Sequence, residues 1–169
     1  MSVSDGDLGP PVGGDKEPPA DPATLDRIAA LIDAWADAQL DENPSVLGVE
    51  RENDNGVRRW LLRLTGDEKQ YISVWFALRQ RSLSLESYFM PGPEENIQDC
   101  FTYLLRLNAR LAGLRFAIGQ EEAVYLMGAI AVHQVTEDEM DRLLGSAYAY
   151  SEAYFRPAMR IGYASRFTG

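Results

Sequence analysis

The residues able to carry acid–base, nucleophilic or metal chemistry are few and scattered. His133 is the only histidine and Cys100 the only cysteine. A zinc site built on that pair would need two or more carboxylates, an uncommon ligand set for this ion. His133 falls between an apolar stretch and a helix start, where a hydrogen-bonded structural role is the simpler reading. No Gly-x-Ser-x-Gly elbow offers it a nucleophile. Cys100 lies on the apolar stripe of a helical segment, so a buried, unreactive thiol is expected. Neither glycine-rich phosphate loop occurs, and no stretch has EF-hand spacing. Carboxylates gather at Glu94/Glu95, Glu121/Glu122 and Glu137/Asp138/Glu139, all at turns or helix starts where capping and dipole effects use them. No catalytic, metal-binding or cofactor-binding set is expected, and the chain is read as a non-enzyme.

Two other groups suit recognition rather than catalysis. Arg79 and Arg81 share parity, and with Arg58 and Arg63 they place guanidinium groups on or beside a sheet. The simpler alternative is a solvated strand edge, where charge discourages edge-to-edge aggregation. Tyr148, Tyr150, Tyr154, Phe155 and Tyr163 form an aromatic run on and after the last helix. Part of it must be core. Tyr148 lies off the helical stripe, and tyrosine is enriched where proteins meet, so a binding or dimer face competes with the core reading. The residues expected to touch a partner are Arg79, Arg81, Tyr148, Tyr154 and Arg156.

The elements that must position these residues follow from periodicity. Asp21-Pro22 starts a helix, with a carboxylate N-cap and proline at the first helical position. Leu25, Ile28, Ala29, Ile32, Trp35, Ala36 and Leu40 then share one helix face, and Asn43-Pro44 closes it. Three strands follow in an antiparallel meander: residues 57–64, then 71–78, then a third from about Ser82 to Ser87. The stretch from Tyr71 to Leu78 has no polar face and is expected in the middle, buried on both sides. Ile97, Cys100, Phe101, Leu104, Leu105, Asn108 and Leu111 mark a second helix, with Glu94 and Glu95 at its positive end. Strands over 114–118 and 123–132 come next. Thr136 with Glu139 reads as a capping box opening a long last helix, which Pro157 should kink or stop. The fold class is therefore α+β, in the order helix, three-stranded meander, helix, two strands, long C-terminal helix.

Composition limits the partners. At 169 residues and 46% hydrophobic content the chain fits one domain, over residues 22–169. Residues 1–21 are acidic, rich in proline and glycine and poor in large apolar side chains, and are expected to be disordered. A net charge of −10 repels phosphate backbones and anionic lipid, which argues against nucleic acid and membranes as partners. It keeps a small protein in solution and can steer a basic partner. The single cysteine, with no signal-like start and no spanning apolar run, points to the cytoplasm.

Several long strings carry a family resemblance. They are Leu62-Arg63-Leu64-Thr65-Gly66-Asp67-Glu68-Lys69, Val74-Trp75-Phe76-Ala77-Leu78-Arg79-Gln80-Arg81, Glu86-Ser87-Tyr88-Phe89-Met90-Pro91-Gly92-Pro93 and Tyr154-Phe155-Arg156-Pro157-Ala158-Met159-Arg160-Ile161-Gly162. Over residues 24 to 167 or so, the chain resembles the YbjN family. That resemblance implies the fold of class I type III secretion chaperones, small acidic proteins of α-β-β-β-α-β-β-α order. It also implies a homodimer that holds an extended protein segment by strand addition and hydrophobic pockets. The family brings no catalytic residues to place on this chain. It has also been labelled a sensory-transduction regulator, so a domain that senses a small ligand is the alternative reading.

Overall fold

A computed structural model describes residues 18–168. The expectation of a disordered tail lies outside the described residues, apart from 18–21. There Asp21 caps α1 (Pro22–Glu42) by accepting the Thr24 N–H at 2.8 Å. Ala20 N–H meets the Gln80 carbonyl at 2.8 Å. Four strands follow in a meander: β1 (Val46–Asp54), β2 (Val57–Thr65), β3 (Tyr71–Leu78) and β4 (Ser82–Met90). Then come α2 (Ile97–Asn108), β5 (Arg115–Ile118), β6 (Val124–Ala131) and α3 (Glu137–Gly162). The single sheet has the order β1-β2-β3-β4-β6-β5, with every neighbouring pair antiparallel.

The class and order are those read from the sequence, with one addition. β1 precedes the three expected strands, joined to β2 through Asn55 and Gly56, both at positive φ. That pair of left-handed residues is what a two-residue hairpin needs for its twist to match the strands.

One cluster gathers Ile32 and Trp35 of α1, Leu104 of α2 and Met140, Leu143 and Ala147 of α3 against Leu62, Val74, Phe76, Leu85, Leu126 and Phe116. The helices therefore cover one face of the sheet. Leu61 and Ala77 are buried but lie outside that cluster, on the opposite face. This corrects the reading of β3 as buried on both sides. Its second face holds Tyr71, 66% exposed, with Ser73 and Trp75 half-buried. The cover there comes from long side chains: the Arg59 guanidinium lies 4.4 Å from the Trp75 ring centre and pairs with Glu52 at 2.8 Å. An antiparallel sheet tolerates one wet face, and an arginine stem supplies apolar cover while its head stays hydrated.

Three local expectations are refined. Thr136 accepts the Glu139 N–H, but Glu139 turns to Arg142 rather than reaching back, so only half of the capping box forms. α3 runs through Pro157 to Gly162 instead of stopping. Glu94 and Glu95 hold the C-terminal segment, Glu94 by pairing with Arg166 and Glu95 by accepting from Ser165. No described helix is long and apolar enough to cross a membrane.

Candidate partner-binding edge of the sheet

The sheet ends in two edges, β1 and β5. β1 is nine residues long and pairs only with β2 among the described residues. Its other side therefore presents a row of backbone donors and acceptors without a ladder partner. Its register alternates the side chains: Val49 and Arg51 stand opposite Leu62 and Trp60 on the helix side, while Glu50 and Glu52 stand opposite Leu61 and Arg59 on the outer face. A register shift between Val46 and Gly48 marks a bulge, and Leu47 beside it is 59% exposed. Leu40, near the end of α1, is 42% exposed.

Arg51 anchors this edge to α1. Its guanidinium pairs with Asp33 at 2.8 Å and with Asp37 at 2.7 Å, and the same Asp33 oxygen accepts the Trp60 indole N–H at 2.8 Å. Partial burial alone would raise the Asp33 pKa. The Trp60 and Arg51 hydrogen bonds and the charges of Arg51 and Arg58 outweigh it, holding the carboxyl below the usual aspartate range. The two carboxylates raise the pKa of Arg51 in return. Farther along, Arg58 pairs with Asp26 and donates to the Leu25 carbonyl at 3.2 Å. Two residues of β2 are thus bound to α1 beneath the edge.

The opposite edge is built differently. β5 has four residues and is tied to α2 by Asn108, whose side chain accepts the Phe116 N–H at 2.7 Å and donates to its carbonyl at 3.1 Å. Phe116 packs on Phe89 and Tyr154, at ring-centre distances of 4.7 and 6.4 Å. Beside it α2 carries Ile97, half-buried Phe101 and Leu105 at four-residue steps, with Ile97 50% and Leu105 67% exposed. Ile118 of β5 is 50% exposed.

A model of the YbjN family, described as "Putative bacterial sensory transduction regulator", matches residues 24–158. The chain belongs to the YbjN family. Uncharacterized protein Rv0487 of Mycobacterium tuberculosis is 30% identical over 105 residues, 62% of this chain and 57% of the relative. Uncharacterized protein ML2442 of Mycobacterium leprae is 25% identical over 111 residues, 66% of this chain and 60% of the relative. The chain thus spans less than two thirds of the length of the curated relatives it matches. Among solved structures, a chain of the heterodimeric ExoU–SpcU complex from the type III secretion system of Pseudomonas aeruginosa overlaps at a TM-score of 0.49 and 13% identity. That overlap covers 75% of this chain and 96% of the other. A chain of the ExsC–ExsE complex overlaps at 0.43 and 20% identity, covering 79% and 93%.

Within this YbjN domain the five residues singled out from sequence stand apart. Arg79 and Arg81 flank the β3–β4 turn, both exposed, with Arg79 donating to the Ser84 hydroxyl at 2.9 Å. They border a shallow groove of about 530 Å³ lined also by Leu25, Asn55, Gly56 and Leu78. Arg58 lies close to them, in an adjoining groove that shares Leu25, Gly56 and Leu78, but turns to Asp26 of α1, whereas Arg63 pairs with Glu50 farther along β2. Tyr148 lines a separate cavity of about 360 Å³ between α1 and α3, together with Gln39, Asn43, Ser45 and Asp141. Tyr154 is half-buried at the margin of the core, edge-on to Phe116 and tilted against Tyr150, and Arg156 pairs with Glu68 at 2.8 Å in the β2–β3 turn.

That turn holds a feature the periodicity missed. The Glu152 carboxylate of α3 accepts the backbone N–H groups of Asp67, Glu68 and Lys69 at 2.9, 3.0 and 3.0 Å. Burial pushes its pKa up, and the three donors with Arg156 bring it below the usual glutamate value. Gly66 is required beside it, because an added Cβ would meet the Glu152 carboxylate and lie 2.6 Å from the Lys69 carbonyl. Lys69 lies over the rings of Phe155 and Tyr88, 5.0 and 5.9 Å from their centres, and burial lowers the pKa of its ammonium. Cys100 is fully buried and burial raises its thiol pKa, while His133 sits in the turn Val132–Gln134. No group of three His, Cys, Asp or Glu side chains is placed to hold a metal among the described residues.

Proposed function

We propose that the chain is a non-catalytic, chaperone-like adaptor that binds a segment of another protein by adding it as a strand to β1. The observation that carries this reading is the nine-residue edge, which is largely exposed, without a ladder partner on its free side among the described residues and backed by the Arg51–Asp33–Trp60 contacts. An added strand completes the ladder and draws affinity from main-chain hydrogen bonds, with neighbouring side chains setting specificity. Leu40 and Leu47 supply an apolar spot at one end of the edge. Arg79 and Arg81 in the groove beyond the Asn55-Gly56 turn supply polar contacts at the other, and Tyr148 adds to the α1–α3 side. Tyr154 acts by bracing the margin of the core and Arg156 by holding the β2–β3 turn. The adaptor works in the cytoplasm as a homodimer, through the exposed Ile97–Phe101–Leu105 stripe of α2.

Site-specific photocrosslinking tests the binding edge. A benzophenone amino acid at position 47 is expected to capture a protein in cells, and the same group at position 129 on the outer face is not. Capture from position 129 alone would move the site off the edge. Light scattering at tens of micromolar tests the dimer, which Leu105→Asp is expected to convert to monomer; a monomeric wild type refutes it.

The cavity beside Tyr148 and the groove beside the arginines favour a second reading, a regulatory domain that senses a small ligand. A ligand held only by the folded state raises its melting temperature. A thermal-shift screen that yields such a ligand, with the gain lost in Tyr148→Ala or Arg79→Ala, favours this reading over the adaptor.

A further inference from the structure

Resting on the reading of β1 as a docking edge, we infer that its occupant is an extended segment with lysine or arginine at alternate positions. Charge selects among the possible occupants. Residues 41–54 carry Asp41, Glu42, Glu50, Glu52 and Asp54 against Arg51, a net of −4. Arg59 and Arg63 stand behind Glu52 and Glu50 on the outer face and leave the edge at −2 when they are included. The Glu50 and Glu52 side chains are 61% and 45% exposed despite those pairings, so both retain acceptor oxygens toward solvent.

Geometry sets the spacing. An added strand places alternate side chains on the outer face, beside Glu50 and Glu52, at the roughly 5 Å separation of cross-strand neighbours. Positions two apart in the partner then meet two carboxylates two apart in β1. The intervening side chains fall on the helix side, near the Arg51–Asp37 pair. Self-pairing is the weaker choice. A second β1 brings its own Glu50, Glu52 and Asp54, and like charges directly opposite destabilise a sheet. The other end of the molecule has the opposite sign: over Ile97–Ile118, Asp99 faces Arg106, Arg110 and Arg115, a net of +2. A second copy docking by that end is thus a distinct outcome of the test.

The experiment uses the full chain and three labelled ten-residue peptides that alternate valine with lysine, with threonine or with glutamate. Fluorescence anisotropy at 25 and 300 mM NaCl reads affinity, and hydrogen exchange reads where each peptide lies. The lysine peptide is expected to bind about tenfold or more tighter than the threonine peptide at low salt, to lose most of that advantage at high salt, and to protect residues 46–54. Glu50→Lys with Glu52→Lys should transfer the preference to the glutamate peptide. Glu50→Gln with Glu52→Gln is the milder variant and should level the three, with a melting temperature check on both. A threonine peptide that binds β1 as tightly as the lysine peptide overturns the charge selection and leaves the docking edge standing. Absence of protection at 46–54 with every peptide overturns the docking edge itself. Concentration-dependent self-association that the Glu50 and Glu52 substitutions abolish assigns the edge to a second copy and overturns the proposal.

Discussion

β1 and β5 both end the sheet, yet one is nine residues long and the other four. β5 is held by its side chains. Phe116 is 5% exposed among Phe89 and Tyr154, and Asn108 satisfies both backbone groups of Phe116. Little of its backbone is left to recruit a partner strand, and beside the exposed Arg115 it presents apolar surface: Ile118 of β5, with Leu105 and Ile97 on the neighbouring α2. β1 is held by its ladder to β2 and by Arg51, and its surface is charged. A short, plugged edge resists strand addition, whereas a long one must rely on charge to turn away unwanted strands. The same charge that blocks self-pairing chooses what is admitted. One edge is therefore suited to side-chain packing, as between subunits, and the other to main-chain capture.

Substitutions should separate the two ends in order of effect. The largest is Phe116→Ala, which removes a buried ring and is expected to cost about 3–5 kcal/mol in urea unfolding while leaving β1 hydrogen exchange in proportion to the rest of the sheet. Next is Glu152→Gln. It weakens three hydrogen bonds of the β2–β3 turn and should cost about 1–2 kcal/mol by the same assay. It also reports on pH. Glu152 and Asp33 have folded pKa values below their unfolded ones, so their stabilisation is complete above about pH 4–5 and is lost as pH falls through the folded values. Unfolding measured stepwise from pH 7 to pH 3 should lose stability more gently in Glu152→Gln, and again in Asp33→Asn, than in the wild type. Arg51→Ala is smaller, about 0.5–1 kcal/mol because the pair is partly exposed, yet it should speed amide exchange selectively at the β1 end. Leu47→Ser should change stability by less than about 0.5 kcal/mol and still reduce partner capture.

Much of this architecture is legible in the residues, and the gaps have physical reasons. The Asp21-Pro22 start, the Thr136 cap and the apolar stripes of α1, α2 and α3 announce themselves because each buries one continuous face. β1 does not. Glu50-Arg51-Glu52-Asn53-Asp54 has no apolar alternation, because a charged edge strand above a helix buries almost none of its side chains. The signal that was available is Asn55-Gly56, a hairpin dipeptide independent of burial. β3 misleads in the other direction. Trp75 and Ala77 suggest a second buried layer, but their cover is the Arg59 side chain rather than another element. Glu152 escapes periodicity too, since its partners are backbone groups 83 to 85 residues away. Residue type alone marks the five candidates for partner contact, and the structure divides them among the β3–β4 turn, a cavity wall, the margin of the core and the β2–β3 turn.

The most direct measurement is hydrogen exchange on the chain bound to whatever protein photocrosslinking at position 47 identifies, compared residue by residue with the free chain. Slowed exchange is expected to concentrate in 46–54, with 115–118 unchanged. Protection confined to β5 and α2, with β1 exchanging as in the free chain, would contradict it.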